Sequence, residues 1–146
     1  MTDDFMLIGE RTFSINDQLD FASFSGDNNP IHTDLIESRK AITGGCVVHG
    51  INGLLWALEC LSSRDTLQLK NLTVDFKSPI HIDTKVICFW NLKKKELKIV
   101  TEKNETLYFI NYQLYSSKQF KNRSLPMLGT LKSPQKKIVK DLDTDK

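Results

Sequence analysis

Residues 51–61 would form a helix that is apolar on most of its surface, and this limits the folds open to the chain. Five of these residues fall at helical spacing, and three more widen the apolar surface until little of the helix is polar. Such a helix must be covered by other parts of the chain. The five are Ile51, Leu54, Leu55, Leu58 and Leu61, and the other three are Trp56, Ala57 and Cys60.

The second half of the chain provides the covering layer as four predicted strands. Their residues alternate in polarity or are rich in β-branched and aromatic types, with a slip in the first strand near Asn71. Pro79 is expected to end that first strand, because proline cannot donate to a sheet ladder. Helices followed by antiparallel strands predict an α+β fold with one largely buried helix against a sheet. The predicted strands are residues 67–76, 85–91, 97–101 and 106–116.

Before the apolar helix, the sequence contains residues that typically begin and end short helices and loops. A short strand is predicted at residues 10–13, and the capping box that begins at Ser14 predicts a helix to about Ser25. Gly26 can end that helix in the left-handed conformation, and residues 27–32 are predicted to be a loop. Asp34 is expected to cap another short helix that runs to about Ala41.

Length and charge predict one folded domain followed by a basic tail. The chain has 146 residues, of which 40% are hydrophobic and 26% charged. Residues 118–146 hold eight Lys or Arg against three Asp, whereas residues 1–117 are net acidic. We therefore predict a domain over residues 1–117, and a tail over residues 118–146 that is either a disordered end or a linker to a fused or docked partner domain.

Several classes of protein are disfavoured. The longest apolar-rich stretch, residues 46–61, is interrupted by polar residues and glycines, so no membrane span is expected. The acidic first residues do not resemble a secretory signal, and the three cysteines are widely spaced, which predicts a cytoplasmic protein with buried thiols. Nucleic-acid binding is disfavoured because the body is net negative.

The loop between the predicted helices carries the candidate chemistry. Asp27 and His32 lie five residues apart with Pro30 between them, so their side chains can converge on one small molecule. Proton transfer needs such a pair, held within hydrogen-bond reach of the same atom. The alternative is that Asp27 closes an Asx turn and His32 is an ordinary core histidine.

The start of the apolar helix offers a second candidate feature. The amide of Gly50 should lie in the first helical turn, where no carbonyl of the helix can pair with it, and could bind an anionic oxygen. Close packing of the helix on the sheet is the alternative reason for a glycine, and it fits Gly53 better than Gly50. His49 is either a ligand or base, or a histidine that faces away and bonds to the backbone.

At these residues the sequence resembles the MaoC-like dehydratases, which include the (R)-specific enoyl-CoA hydratases. The likeness runs from about residue 13 to residue 116. It implies a hot-dog fold, in which a long central helix is wrapped by an antiparallel sheet, usually as a homodimer or a fused double unit. The matching segments are Phe21-Ala22, Ser25-Gly26-Asp27-x-Asn29-Pro30-x-His32-x-Asp34 and Val47-Val48-His49-Gly50, followed by the weaker Phe76-Lys77-x-Pro79-Ile80.

The resemblance also implies an activity and roles for single residues. It implies that Asp27 and His32 hold a reactive water and that the amide of Gly50 binds the thioester oxygen of a trans-2-enoyl thioester. Water is then added, or removed from an (R)-3-hydroxyacyl thioester, with no cofactor or metal beyond the coenzyme A or acyl carrier thioester that belongs to the substrate. The substrate-binding residues that it implies are Ser25, Asn29, Val48 and His49.

Two alternative hypotheses for the function stay open. A thioesterase of the same fold would use Glu59 on the central helix, and a non-catalytic acyl-binding or assembly module would keep the loop only for structure. The sequence departs from the family at Asp83-Thr84, where Gly-Asp is usual, and its tail does not resemble the family's closing strand. Metal catalysis is not expected, because His32, His49 and Cys46 match no standard spacing of ligands.

Overall fold

The computed structural model describes residues 4–64 and 68–116. Its helices and strands belong to the unit that ends at Leu114. The predicted tail, residues 118–146, lies outside the described residues, and the boundary at residue 117 stays a prediction. In chain order the elements are β1 (Met6–Thr12), α1 (Ile15–Ser25), α2 (Pro30–Thr33), a 3-10 helix (Glu37–Lys40), α3 (Gly50–Ser62), β2 (Leu69–Phe76), β3 (Lys85–Asn91), β4 (Glu96–Thr101) and β5 (Thr106–Leu114).

The strands form one five-stranded sheet in the order β1-β3-β4-β5-β2. Each neighbouring pair is antiparallel. The α+β prediction is confirmed, with α3 as the long helix against the sheet. The two ends of the sheet are β1 and β2, and the side chains of β2 are exposed or only half-buried along its whole length. In the described part of the chain, every helix falls short of the length and apolarity that crossing a bilayer requires.

Helix α3 packs on the sheet at very close range. Gly53 makes this possible, because a Cβ atom there would lie 2.7 Å from Cε2 of Tyr108. Trp56 adds an edge-on contact with Phe13, with ring centroids 5.8 Å apart. The interpretation of Gly53 as the close-packing glycine is confirmed.

The prediction that α3 is apolar on most of its surface and covered by the rest of the chain holds for only part of the helix. Gly53, Leu54, Trp56, Ala57 and Leu61 are buried. Ile51 is 53% exposed and Leu55 is 48% exposed. These two residues lie one turn apart, so one stripe of α3 faces away from the core.

Local sequence signals set the bounds of α1. Ser14 Oγ accepts a hydrogen bond from the amide of Asp17, and the Asp17 carboxylate accepts one from the amide of Ser14. The capping box is therefore confirmed. Gly26 ends the helix with φ 83°, a left-handed conformation that glycine adopts without steric cost.

Three local predictions need correction. Strand β1 begins at Met6, four residues earlier than predicted. The predicted loop over residues 27–32 contains the short helix α2, because Pro30 is preorganised for a first helical position. The helix predicted after Asp34 is only the 3-10 helix Glu37–Lys40. Asp34 Oδ1 accepts hydrogen bonds from the amides of Ile36 and Glu37, and these bonds lower the pKa of Asp34.

The strands agree with the sequence pattern, including its irregularities. The slip predicted near Asn71 is a register shift between Leu69 and Asn71 against β5. The predicted start of this strand, Leu67, lies outside the described residues. Asp83, where the family usually has glycine, has φ 60°, so this aspartate adopts a conformation that favours glycine.

Burial of Tyr108 makes the stability of the folded protein depend on pH in the alkaline range. Burial raises the pKa of Tyr108 from 10.0 to about 12. The neutral phenol therefore contributes its full stability below pH 10, and that contribution is lost as the pH rises towards 12. We expect the free energy of unfolding to fall by about 1 kcal/mol more in the wild type than in Tyr108→Phe between about pH 9 and about pH 11, as measured by denaturant titration. Parallel pH profiles for the two proteins would contradict this account.

Candidate active site

Asp27 and His32 lie side by side between α1 and α3. Asp27 follows Gly26 directly, and His32 is in the single turn of α2. Asp27 Oδ2 is 3.9 Å from His32 Nε2, with the carboxylate side chain 53% exposed and the imidazole 12% exposed. This distance is too long for a direct hydrogen bond, but one water oxygen can lie within about 2.8 Å of both atoms. The structure brings the two residues together, as expected from the loop.

The backbone orients the imidazole of His32. Its Nδ1 lies 2.8 Å from the carbonyl oxygen of Val47. Val47 belongs to the extended segment just before α3. Because a carbonyl can only accept, Nδ1 carries the proton of this hydrogen bond. Nε2 is therefore the nitrogen of His32 that is available to exchange a proton next to Asp27.

His49 is buried directly beneath this pair. It is 2% exposed, and its ring stacks on that of His32 with centroids 4.0 Å apart. His49 Nε2 lies 2.9 Å from the backbone oxygen of Asp27 and 4.0 Å from its carboxylate Oδ2. His49 therefore contacts both members of the pair from the protein interior.

Gln18 of α1 holds His49 from the other side, and the sequence analysis did not identify it. Gln18 is fully buried, and its Oε1 lies 2.9 Å from both the backbone nitrogen and Nδ1 of His49. The backbone amide of His49 must donate, so the atom that faces it is the oxygen of Gln18. Nδ1 of the His49 ring lies against the same oxygen of Gln18, and Nε2 faces the backbone oxygen of Asp27. The only sequence signal for Gln18 was a polar residue on the core side of an amphipathic helix.

Gly50 begins α3 immediately after His49. Its amide occupies the first helical position, where no carbonyl of α3 is available to it. Gly50 borders a cavity of about 250 Å³ that Phe76, Pro79 and Tyr108 also line. A Cβ atom on Gly50 would lie 3.2 Å from the ring of Phe76, so the missing side chain lets this ring pack closely against the start of α3.

The other predicted site residues occupy different environments. Ser25 Oγ accepts a hydrogen bond from the amide of Asp27 at 3.2 Å, and Asn29 Oδ1 accepts one from the amide of Ile31 at 3.2 Å. Both side chains therefore shape the loop that carries Asp27. Val48 is 2% exposed in the hydrophobic core. Their roles in substrate binding stay predictions.

The same cluster is a group of potential metal ligands. One donor atom from each of Asp27, His32 and His49 lies within 4.8 Å of the other two. His49 Nε2 already lies at hydrogen-bond distance from the Asp27 backbone oxygen, so coordination would require that contact to break. The expectation that the site works without a metal stays a prediction.

The chain belongs to the MaoC-like domain family, whose model matches residues 5–108. No curated protein is similar enough in sequence to be matched to the chain. The family assignment and the antiparallel sheet with its central helix confirm the resemblance and the hot-dog fold that it implied.

Several solved structures share this fold at low sequence identity. The (R)-hydratase from A. caviae is 16% identical, with a TM-score of 0.62 over 77% of this chain and 97% of that one. R-hydratase PhaJ1 from Pseudomonas aeruginosa is 14% identical, with a TM-score of 0.60 over 79% and 83% of the two chains. A protein described as a monoamine oxidase regulatory protein from Archaeoglobus is 20% identical, with a TM-score of 0.64 over 77% and 87%.

Replacement of Gln18 tests its place in the site. Gln18→Met keeps the apolar stem but leaves the buried backbone amide of His49 without its acceptor, so we expect the free energy of unfolding to fall by about 1–3 kcal/mol. Gln113→Met is the matched control, because Gln113 is exposed and its side chain accepts a hydrogen bond from Asn71 at the surface. Urea titrations of the two variants measure the difference. Equal stability of Gln18→Met and the wild type would contradict the hydrogen bonds described for His49.

Proposed function

We propose that this protein is a hydratase or dehydratase that adds water to trans-2-enoyl thioesters, or removes it from (R)-3-hydroxyacyl thioesters. The observation that carries the proposal is the 3.9 Å separation of Asp27 Oδ2 and His32 Nε2, with His32 held in orientation by the carbonyl of Val47. A single water can be bound by both groups in this arrangement. Membership of the MaoC-like family supports the same reaction class.

The reaction needs two proton transfers, and the site has two groups suited to them. Hydration places the water's hydroxyl on the β carbon and a proton on the α carbon. One member of the Asp27–His32 pair takes the proton released by water, and the other delivers a proton to the α carbon. Since Nδ1 of His32 is bonded to Val47, every transfer that involves His32 passes through Nε2, and delivery of a proton requires the imidazolium form.

Gly50 is proposed to stabilise the charge that builds on the thioester oxygen. Its amide lies at the positive end of α3, and its missing side chain lets an oxygen approach closely. Loss of one such donor typically costs about 3 kcal/mol of transition-state stabilisation. Besides the reacting water, the mechanism needs the acyl thioester, as a conjugate of coenzyme A or of a carrier protein.

The structure gives less support to the thioesterase alternative. Glu59, its candidate carboxylate, is exposed and lines a different cavity together with Arg11 and Trp56. It follows Gly50 by nine residues, which places it about 13 Å further along the helix axis. Glu59 is therefore poorly placed to activate water beside a carbonyl bound at Gly50.

An enoyl-thioester assay tests the proposed activity. We expect the conjugated absorbance of crotonyl-CoA or a longer enoyl-CoA to disappear in the presence of the protein, with no free thiol released. Asp27→Asn and His32→Ala should each lower kcat by about two orders of magnitude or more, because each removes a proton-transfer group. Circular dichroism checks that the variants are folded.

Matched substitutions separate catalysis from general damage. Asp20→Asn and His81→Ala replace an exposed aspartate and an exposed histidine elsewhere in the chain, and both should retain wild-type turnover. Thiol release without loss of conjugation would favour the thioesterase. Wild-type behaviour of the Asp27 and His32 variants, with acyl-thioester binding retained, would identify a non-catalytic module.

We further propose that two copies associate through the β2 edge of the sheet. Leu72 is 37% exposed and Phe76 is 47% exposed on this strand, and its outer backbone edge has no neighbouring strand among the described residues. An edge of this kind favours pairing with another strand. The cavity at Gly50 is lined by Phe76, so a second copy at this edge would lie next to the proposed oxygen-binding site.

Light scattering tests the association. We expect the wild type to be a dimer, and Leu72→Lys to shift it towards the monomer because a charge on an edge strand disfavours strand pairing. Leu92→Lys is the control, since Leu92 is 51% exposed but lies in the turn between β3 and β4. A monomeric wild type, or equal effects of the two lysines, would contradict the proposed interface.

A further inference from the structure

Cys60 and Cys88 lie close together at the other end of α3, away from the proposed active site. Gly9 of β1 is paired directly with Cys88 of β3. Directly opposed residues of an antiparallel pair point to the same face of the sheet, with Cβ positions about 5 Å apart. A Cβ atom on Gly9 would lie 2.5 Å from Sγ of Cys60. The sulfur of Cys60 therefore occupies the space of the missing Gly9 side chain, beside the side chain of Cys88.

Cys60 also lines a surface cavity. The cavity has a volume of about 340 Å³ and is formed by β1 and the last turns of α3. Arg11 and Glu59 contribute its charged side chains, and Ile8 and Trp56 form its apolar wall. Cys60 is half-buried, whereas Cys88 is fully buried behind it. A small reagent that enters this cavity reaches Cys60 before it reaches Cys88.

The groups around Cys60 favour its thiolate. A hydrogen bond from the Cys88 thiol makes the largest contribution and lowers the pKa of Cys60, and the positive charge of Arg11 lowers it further. Burial and the negative charge of Glu59 act in the opposite direction. The same hydrogen bond raises the pKa of Cys88, which is thereby held as the protonated donor.

We propose that Cys60 is an oxidation site for peroxides, with Cys88 as the resolving thiol. The thiolate of Cys60 attacks one oxygen of the peroxide, which forms Cys60–SOH and releases hydroxide or alkoxide. The sulfur of Cys88 then attacks the sulfur of Cys60, which forms a Cys60–Cys88 disulfide as the Cys88 proton and the sulfenic hydroxyl leave as water. The product links the last turns of α3 to β3, and two molecules of a thiol such as glutathione return it to the two free cysteines as they are oxidised to their own disulfide. The proposal does not depend on the hydratase activity.

Alkylation of the full-length protein tests the first element of this proposal. Cys46 is the internal control, because it is buried and its thiol donates to Ser38 Oγ. We expect iodoacetamide to modify Cys60 at least about tenfold faster than Cys46 in the folded protein, as measured by peptide mass spectrometry. Equal rates at the two cysteines would overturn the assignment of Cys60 as a reactive thiol.

Treatment with hydrogen peroxide tests the second element. The wild type should yield a peptide pair joined through Cys60 and Cys88, and Cys60→Ser should yield none. Cys88→Ser should instead accumulate a sulfenic acid at Cys60 that dimedone traps. The wild-type measurement needs no variant, so it decides the question even if Cys88→Ser does not fold. Absence of the Cys60–Cys88 pair from peroxide-treated wild type, with Cys60 oxidised or not, would overturn the proposal.

Discussion

The buried hydrogen bonds of His49 are the constraint on which the geometry of the site depends. This residue precedes α3, bonds to Gln18 of α1 and lies against the backbone oxygen of Asp27. Three segments that are distant in sequence are thus joined through one side chain. Because buried polar groups are costly to leave unpaired, the lowest-energy arrangement holds the loop of Asp27 against the start of α3.

This arrangement divides the site into a fixed part and an accessible part. The imidazole of His32 is mostly buried, stacked on His49 and bonded to the backbone, whereas the carboxylate of Asp27 is half exposed. Solvent reaches the pair from the carboxylate side. In the proposed reaction, an acyl chain bound on that side would exclude bulk water from the pair, whose imidazole the protein already orients.

Interactions between near neighbours were predictable from the sequence. Local spacing predicts the capping box of Ser14 and Asp17 and the left-handed conformation of Gly26. It also predicts that Asp27 and His32 lie close together. The prediction failed at Pro30 itself: the loop was predicted because the residue before a proline avoids helical angles, but the fixed φ of the proline suits the first residue of a helix.

Interactions between distant segments were not predictable in the same way. Gln18 and His49 are 31 residues apart, and no periodicity relates them. The exposure of Ile51 and Leu55 depends on how α3 is rotated against the sheet, which hydropathy alone does not determine. The left-handed backbone conformation of Asp83 likewise depends on the turn into β3, in which the Asp83 amide donates a hydrogen bond to the carbonyl of Phe13.

The missing side chain of Gly53 also determines where α3 stands along the sheet. A displacement of the helix by one residue would bring Asn52 or Leu54 against the ring of Tyr108, where only a hydrogen atom fits. This contact therefore restricts where the helix can lie along the sheet. Gly50 lies one turn earlier on the same helix, so the contact between Gly53 and Tyr108 also sets how the Gly50 amide stands above Phe76.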